Sequence, residues 1–232
     1  MRTRIFVILL GVAIAPIAST SLRAQRLTDI TPYLISDRAA EITLARSAAP
    51  KHVSDSATVL VMTRASYVEA AHGTNGFTCM VLRSFSGNVD DPNFWNAKVR
   101  SPICFNPPAS RTVFPQMLKQ SESVMAGGDP KAIAEATKRA YASHKIPTPA
   151  AGSMAFMLSP RQYLLDNNPH WLPHLMFFYD RSLPVSAWGV GGETNTIIDG
   201  SGGDVTFPVI TLLLPVRKWS DGTTALAATA SH

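Results

Sequence analysis

The residues best suited to chemistry lie in one short segment, residues 166–174. It begins with Asp166 and contains His170 and His174, two histidines four positions apart. Imidazole nitrogens and carboxylates bind zinc, and a histidine with an ordinary pKa exchanges protons near neutral pH. The segment therefore suggests a His-dependent hydrolase, metal-assisted or not. Its candidate catalytic residues are His170, His174 and Asp166, and the two histidines are also its candidate metal ligands.

The sequence around these histidines favours a simpler interpretation. Histidines four apart share one face of an α-helix, but Pro169 and Pro173 oppose a regular helix here. The His-Glu-x-x-His pattern of zinc hydrolases is absent from the sequence, and a third ligand would have to come from another position. The candidates for it are Asp166, Glu69 and His72. The alternative is that His174 is a hydrogen-bonded histidine entering a buried strand and that His170 is partly exposed.

The tryptophans indicate a different kind of site. All of them fall in predicted loops: Trp95, Trp171, Trp188 and Trp219. Loop tryptophans line grooves for sugars or peptides, or they cover the ends of a sheet. An apolar pocket rimmed by Trp and His is typical of a small-ligand site. We therefore expect a cleft between residues 166–174 and the glycine-rich residues 189–203, with Trp171, Trp188 and His170 as ligand-binding residues.

Two further stretches match functional motifs only in part. Residues 199–204, Asp-Gly-Ser-Gly-Gly-Asp, contain the residue types that surround a serine-protease nucleophile, but in another order. No Gly-x-Ser-x-Gly elbow occurs in the chain. Residues 90–93, Asp-Asp-Pro-Asn, lack the spacing of a calcium-binding loop. We interpret the first stretch as a loop and the second as a capped turn, and we predict no cofactor.

The first 24 residues have the organisation of a secretory signal peptide. A basic start at residues 1–4 precedes an apolar run from Ile5 to Ile17 and a stretch of mostly small residues ending at Ala24. The apolar run is shorter than the roughly 20 residues that a membrane span needs. We place cleavage after Ala24, with a retained N-terminal anchor as the alternative. The sequence thus predicts export to the periplasm or the extracellular space, with no membrane span after cleavage.

Removal of a signal peptide changes the charge of the chain. Three of the 21 Lys and Arg residues, and none of the 16 Asp and Glu residues, lie in the first 24 positions, which lowers the net charge from +5 to +2. No basic cluster remains to neutralise a run of phosphates, which argues against nucleic acid as a partner. Residues 25–232 suffice for one globular domain, with an extended arm at its start and a frayed tail at its end.

The chain has two cysteines, Cys79 and Cys104. Two cysteines in an exported chain form a disulfide by default. A reactive free thiol, which is the alternative, requires a basic or histidine-rich setting. We therefore expect a structural Cys79–Cys104 disulfide, which would stabilise the fold by roughly 3 kcal/mol.

The strand signals fall into two groups, residues 58–85 and residues 153–216. Three runs rich in β-branched and aromatic residues lie in the first group, and Asn75-Gly76 between its second and third runs is a strong hairpin signal. An antiparallel meander is therefore expected there. The strands of the second group are expected at residues 154–158, 175–179 and 207–216.

The helices are expected to pack on this sheet. A helix near 36–48 is capped by Ser36 and ended by Pro50. A helix pair near 111–144 is joined by a Gly-Gly-Asp-Pro turn at 127–130. Strands grouped in this way, with helices between the groups, predict an α+β fold with an antiparallel sheet of about five to six strands.

Five stretches of the sequence resemble a family of exported bacterial proteins of unknown activity. They are residues 75–79 (NGFTC), 93–96 (NFWN), 102–107 (PICFNP), 170–177 (HWLPHLMF) and 218–222 (KWSDG). The resemblance covers most of the chain after the signal peptide. It implies one exported globular domain and supplies no catalytic residues.

The expected function is binding. We predict an exported domain that holds a small or extended ligand, or an envelope partner protein, in the cleft near residues 166–174. The first alternative is the His-dependent hydrolase, and the second is a purely structural envelope protein.

Overall fold

The computed structural model describes residues 26–182, 184–190, 196–200 and 209–225. The predicted signal peptide lies outside these ranges, and so do residues 191–195 and 201–208 of the glycine-rich stretch and residues 226–232 of the expected tail. Within the described ranges, no helix combines the length and the apolar character needed to cross a membrane.

One mixed sheet forms the centre of the molecule. Its strands are β1 (Thr58–Met62), β2 (Tyr67–Ala71), β3 (Thr78–Leu82), β4 (Ser101–Phe105), β5 (Met154–Met157), β6 (His174–Asp180), β7 (Ile198–Asp199) and β8 (Val209–Pro215). Their order across the sheet is β2-β1-β3-β4-β5-β6-β8-β7 in the described part of the chain. The α+β class is confirmed, but the predicted number of strands was too low.

Strand β4 joins the two predicted groups into one sheet. It pairs antiparallel with β3 on one side and with β5 on the other. No strand was predicted here, where Pro102 lacks the amide hydrogen of a regular central strand. Pro102 lies opposite Val81 in the β3–β4 register. The short strand β7, which pairs with β8, was also not predicted.

The prediction of an antiparallel meander was wrong. Strands β1 and β2 form an antiparallel pair, but β3 lies parallel to β1 on its other side, with Val59 opposite Cys79. Every residue of β3 is buried, which suits a central strand covered on both faces, whereas β2 carries the exposed Glu69 and forms the edge. The Asn75-Gly76 turn therefore lies in a crossover connection between β2 and β3, which do not pair with each other.

The crossover passes very close to the start of β1. A Cβ atom added to Gly73 would lie 2.0 Å from the backbone nitrogen of Thr58. The amide of Gly73 donates to Oγ1 of Thr58 at 3.1 Å. Only glycine fits so close to the Thr58 backbone. Gly73 therefore allows the chain to pass from β2 to the other side of β1.

The helices lie on both faces of the sheet. They are α1 (Arg38–Arg46), α2 (Lys51–Ser54), α3 (Pro107–Thr112), α4 (Phe114–Met125) and α5 (Pro130–Ala142). Helix α1 packs on β1, β3 and β4, and its cap is Asp37, one residue after the predicted Ser36, because the Asp37 carboxylate accepts from the Ala39 amide at 2.8 Å. The predicted helix pair is α4 and α5, and Asp129 caps α5 by accepting from the Ala132 amide at 2.8 Å.

The disulfide between Cys79 and Cys104 is confirmed. The two residues face each other in the β3–β4 register, and their Cα atoms lie 4.0 Å apart. Both side chains are fully buried in a small core between the sheet and α1, beside Ala45. The larger core lies on the other face of the sheet, against α3, α4 and the 3-10 segment Ser84–Ser86.

Candidate functional site

Residues 166–173 are not helical, as the two prolines predict. Backbone hydrogen bonds fix the start of the segment, because Tyr163 and Arg100 exchange two N–H···O bonds of 2.8 Å each. The fully buried Gln162 donates from Nε2 to the carbonyl oxygen of Trp171. These contacts hold Trp171 against the start of β6.

His174 is the first residue of β6 and is only 3% exposed. Its Nδ1 atom lies 2.8 Å from the carbonyl oxygen of Leu172, and its ring meets the Trp171 ring edge to face with centroids 4.7 Å apart. A carbonyl oxygen only accepts hydrogen bonds, so Nδ1 carries the proton. Burial lowers the pKa of His174, which keeps the ring neutral.

Asp166 is engaged at the surface, away from this ring. Its Oδ1 atom accepts from Tyr163 Oη at 2.7 Å and from Asn96 Nδ2 at 3.1 Å, and its Oδ2 atom lies 3.5 Å from Lys98 Nζ. The hydrogen bond from Tyr163, followed by that from Asn96, lowers the pKa of Asp166. The carboxylate therefore anchors the loop that carries Asn96 and Lys98. His170 is exposed.

The remaining candidate ligands, Glu69 and His72, lie at the far side of the sheet. They form an exposed pair of 3.1 Å at the end of β2, and β1, β3, β4 and β5 separate β2 from His174 on β6. Five strand spacings of about 4.8 Å place them roughly 24 Å away. In the described part of the chain, no group of three or more His, Cys, Asp or Glu side chains is placed to hold a metal ion.

A cavity of about 390 Å³ opens beside Trp171 and His174. Its floor is the face of the sheet that carries Met157, His174 and Met176. One wall is the segment after β5, including Leu164, Leu165 and Trp171, and the opposite wall includes Leu82, Ser86 and Gly87. Gly200, from the described part of the glycine-rich stretch, also lines it.

A second cavity of about 190 Å³ continues the first. The two share five lining residues: Ser86, Gly87, Met117, Met176 and Gly200. The second extends along β6 to Phe178 and ends between α4 and α5. From His174 to Phe178 the strand advances four residues, or roughly 13 Å. We call this continuous apolar channel, formed by the two cavities, the β6 trough.

The charged and hydroxyl groups along the trough are mostly bonded within the protein. Arg83 donates to Glu41 Oε1 at 2.8 Å and to the carbonyl oxygen of Tyr33 at 2.7 Å. Ser121 Oγ donates to Ser86 Oγ at 2.8 Å. By contrast, the Nε2 atom of His174 has no hydrogen-bond partner among the described residues. Ser84 Oγ, which also lines the larger cavity, is likewise without a partner within the described ranges.

Trp188 does not line the β6 trough. It packs on Tyr179 with ring centroids 4.1 Å apart. Side chains alternate along a strand, so Tyr179 lies on the face of β6 opposite to His174 and Phe178. Trp188 therefore sits on the other side of the sheet from the trough, and His170 is not among the lining residues of either cavity.

Sequence reasoning missed the wall formed by the segment after β3 and by Met117 of α4. The sequence there, Leu-Arg-Ser-Phe at residues 82–85, equally suits the end of a strand, so it gave no distinct signal.

No protein-family model matches this chain, and searches of curated proteins and of solved structures find no match for it either. The site is defined by its geometry: an apolar trough along β6, with Trp171 and His174 at one end.

Proposed function

We propose that this protein is an exported binding protein that holds a small apolar ligand in the β6 trough. The observation that carries the proposal is the trough itself. Its larger cavity, about 390 Å³, falls in the range of roughly 300–1,000 Å³ typical of small-ligand sites. Just over half of its lining residues have apolar or aromatic side chains, Trp171 among them, and His174 is one of the polar groups that can orient a ligand.

The environment of His174 favours binding over His-dependent hydrolysis. A catalytic histidine is usually oriented by a carboxylate and lies beside a nucleophile or a metal-bound water. His174 is oriented by the Leu172 carbonyl oxygen instead, and Asp166 is bound to Tyr163 and Asn96. A neutral histidine with a lowered pKa is also a weak base.

The proposal of export is supported by the buried disulfide. Disulfides form and persist in oxidising compartments and are rare in the cytosol. The Cys79–Cys104 pair fits a protein that folds in the periplasm or outside the cell. Membership of an exported family stays a prediction from the sequence.

The trough is tested with N-phenyl-1-naphthylamine, a neutral apolar dye that becomes fluorescent when bound. We expect the purified protein to bind it, and we expect Met117→Trp to weaken binding about tenfold or more, because Met117 lines both cavities and a larger ring occupies ligand space. The measurement is a fluorescence titration.

The matched control for this variant is Ser123→Trp on the same helix. Ser123 does not line either cavity, so its dye affinity should remain that of the native protein. Absence of dye binding by the native protein, or equal weakening by both variants, would contradict the proposed function.

A further inference from the structure

We propose that the ligand of the β6 trough is a neutral amphiphile with an apolar body and one hydrogen-bond donor, a hydroxyl or amide N–H group, which bonds to Nε2 of His174. This inference rests on the proposed function and assigns the chemistry of the ligand. Four observations support it: the tautomer of His174, the engagement of the neighbouring charges, the apolar extension of the trough and the length of its floor.

The tautomer of His174 determines which kind of ligand group can form a hydrogen bond with its ring. Nδ1 lies 2.8 Å from the Leu172 carbonyl oxygen and must donate to it, so a neutral ring presents a bare lone pair at Nε2. His174 lines the larger cavity, and no described residue donates a hydrogen bond to its Nε2 atom. A ligand that brings a donor satisfies this atom, whereas a ligand that brings only an acceptor repels it.

The charges near the trough disfavour an ionised ligand. Arg83 and Asp91 are the charged side chains among the described lining residues. Arg83 is paired with Glu41 and donates to two carbonyl oxygens, and the Asp91 carboxylate accepts from the Asn93 amide at 2.6 Å. A ligand carboxylate would therefore lose its water without gaining an unengaged cation, which costs free energy.

The lining of the second cavity indicates the chemistry of the other end of the ligand. Beyond Met176 most of the trough surface is apolar and is formed by residues such as Val113, Phe178 and Val209. The polar side chains that also line this part are Asn88, Gln116, Gln120, Tyr141 and Thr211. The Nε2 group of Gln120, at the edge, already donates to the Gly87 carbonyl oxygen at 2.6 Å. An apolar chain that starts at His174 therefore has roughly 13 Å of floor along β6 on which to lie.

Three probes of similar length separate the possibilities: 1-decanol, decyl methyl ether and sodium decanoate. Each is titrated at pH 7.5 against the native protein loaded with N-phenyl-1-naphthylamine. We expect decanol to displace the dye at a concentration about fivefold lower than the ether, a ratio typical of one net hydrogen bond. Decanoate should be the weakest of the three.

Two variants assign this preference to the histidine. In His174→Phe the preference for decanol over the ether should disappear while the ether still binds. In His174→Gln, whose side-chain oxygen also accepts, a preference should remain. Trp188→Phe, on the other face of the sheet, should retain the full native ratio.

A measurement on the native protein guards against variants that do not fold. Nitrogen NMR of the histidine rings should identify the Nδ1–H tautomer of His174, and decanol, but not the ether, should shift its Nε2 resonance. Equal binding of decanol and the ether, tighter binding of decanoate, or an unchanged Nε2 resonance would overturn the inference while the proposed function stands. If the dye itself does not bind, the proposed function fails first.

Discussion

Glu41 and Arg83 form an ion pair in the interior, between helix α1 and the end of β3. Arg83 Nη2 lies 2.8 Å from Glu41 Oε1, and both side chains are almost fully buried. The same Glu41 oxygen accepts from the Met62 amide at 3.2 Å, and Arg83 Nε donates to the Tyr33 carbonyl oxygen at 2.7 Å. The pair therefore joins α1, β1 and the N-terminal segment through one charge-compensated centre.

Glu41→Gln should destabilise the fold strongly. The substitution leaves the Arg83 charge buried without its counter-charge, and breaking such a pair typically costs about 3–5 kcal/mol. Glu69→Gln is the matched control, since Glu69 pairs with His72 at the surface and exposed pairs contribute at most about 1 kcal/mol. Urea unfolding of both variants measures the two free energies. Similar losses for the two variants would show that burial of the pair is not the cause.

At the scale of the element, the crossover from β2 to β3 decides the topology of the sheet. The chain passes the start of β1 at Gly73, where an added Cβ would meet the Thr58 nitrogen at 2.0 Å and the Ala57 carbonyl carbon at 2.3 Å. Both are backbone atoms of a buried strand start, so neither can move aside as a flexible side chain would.

Gly73→Ala should therefore cost about 1–3 kcal/mol or more, because the crossover or β1 must shift to admit one methyl group. The comparison variant is Gly87→Ala, where the nearest atom to an added Cβ is the Ser84 carbonyl oxygen at 3.5 Å, an ordinary contact. Its free energy of unfolding should change by less than about 1 kcal/mol. Thermal or urea unfolding distinguishes the two, and a neutral Gly73→Ala would refute the close approach.

At the scale of the whole molecule, the β3–β4 pairing joins the N-terminal strands to the strands that carry the trough. The disulfide crosses this pairing and links residues separated by 25 positions in the chain. Cys79 and Cys104 also lie under α1, so the same covalent link reinforces the sheet at the place where the helix packs.

Loss of the disulfide should lower the free energy of unfolding by about 2–5 kcal/mol. We expect this from Cys79→Ala combined with Cys104→Ala, measured by urea unfolding. The control is the native protein in strong reductant, which loses the S–S bond but retains both sulfur atoms. It therefore separates the effect of the cross-link from the effect of the volume that the sulfur atoms fill. A loss below about 1 kcal/mol in both would show that the link contributes little.

The sequence by itself determined the local elements of this protein. Apolar periodicity, the caps of the helices and the prolines around His170 predict helices, strands and the irregular segment, because these signals act over a few residues. The cysteine pairing followed from there being only two cysteines. The burial of His174 at the start of a strand was also one of the two interpretations that the sequence left open.

Only the tertiary structure decided the order of the strands and the composition of the trough. A run such as β3 suits a place beside β2 or beside β1 equally well, and the choice depends on which arrangement covers both of its faces. Likewise, Met117, Ser86 and Met176 come from distant parts of the chain and meet only after the sheet and helix α4 have packed. Long-range burial, which no short stretch of sequence encodes, fixed both.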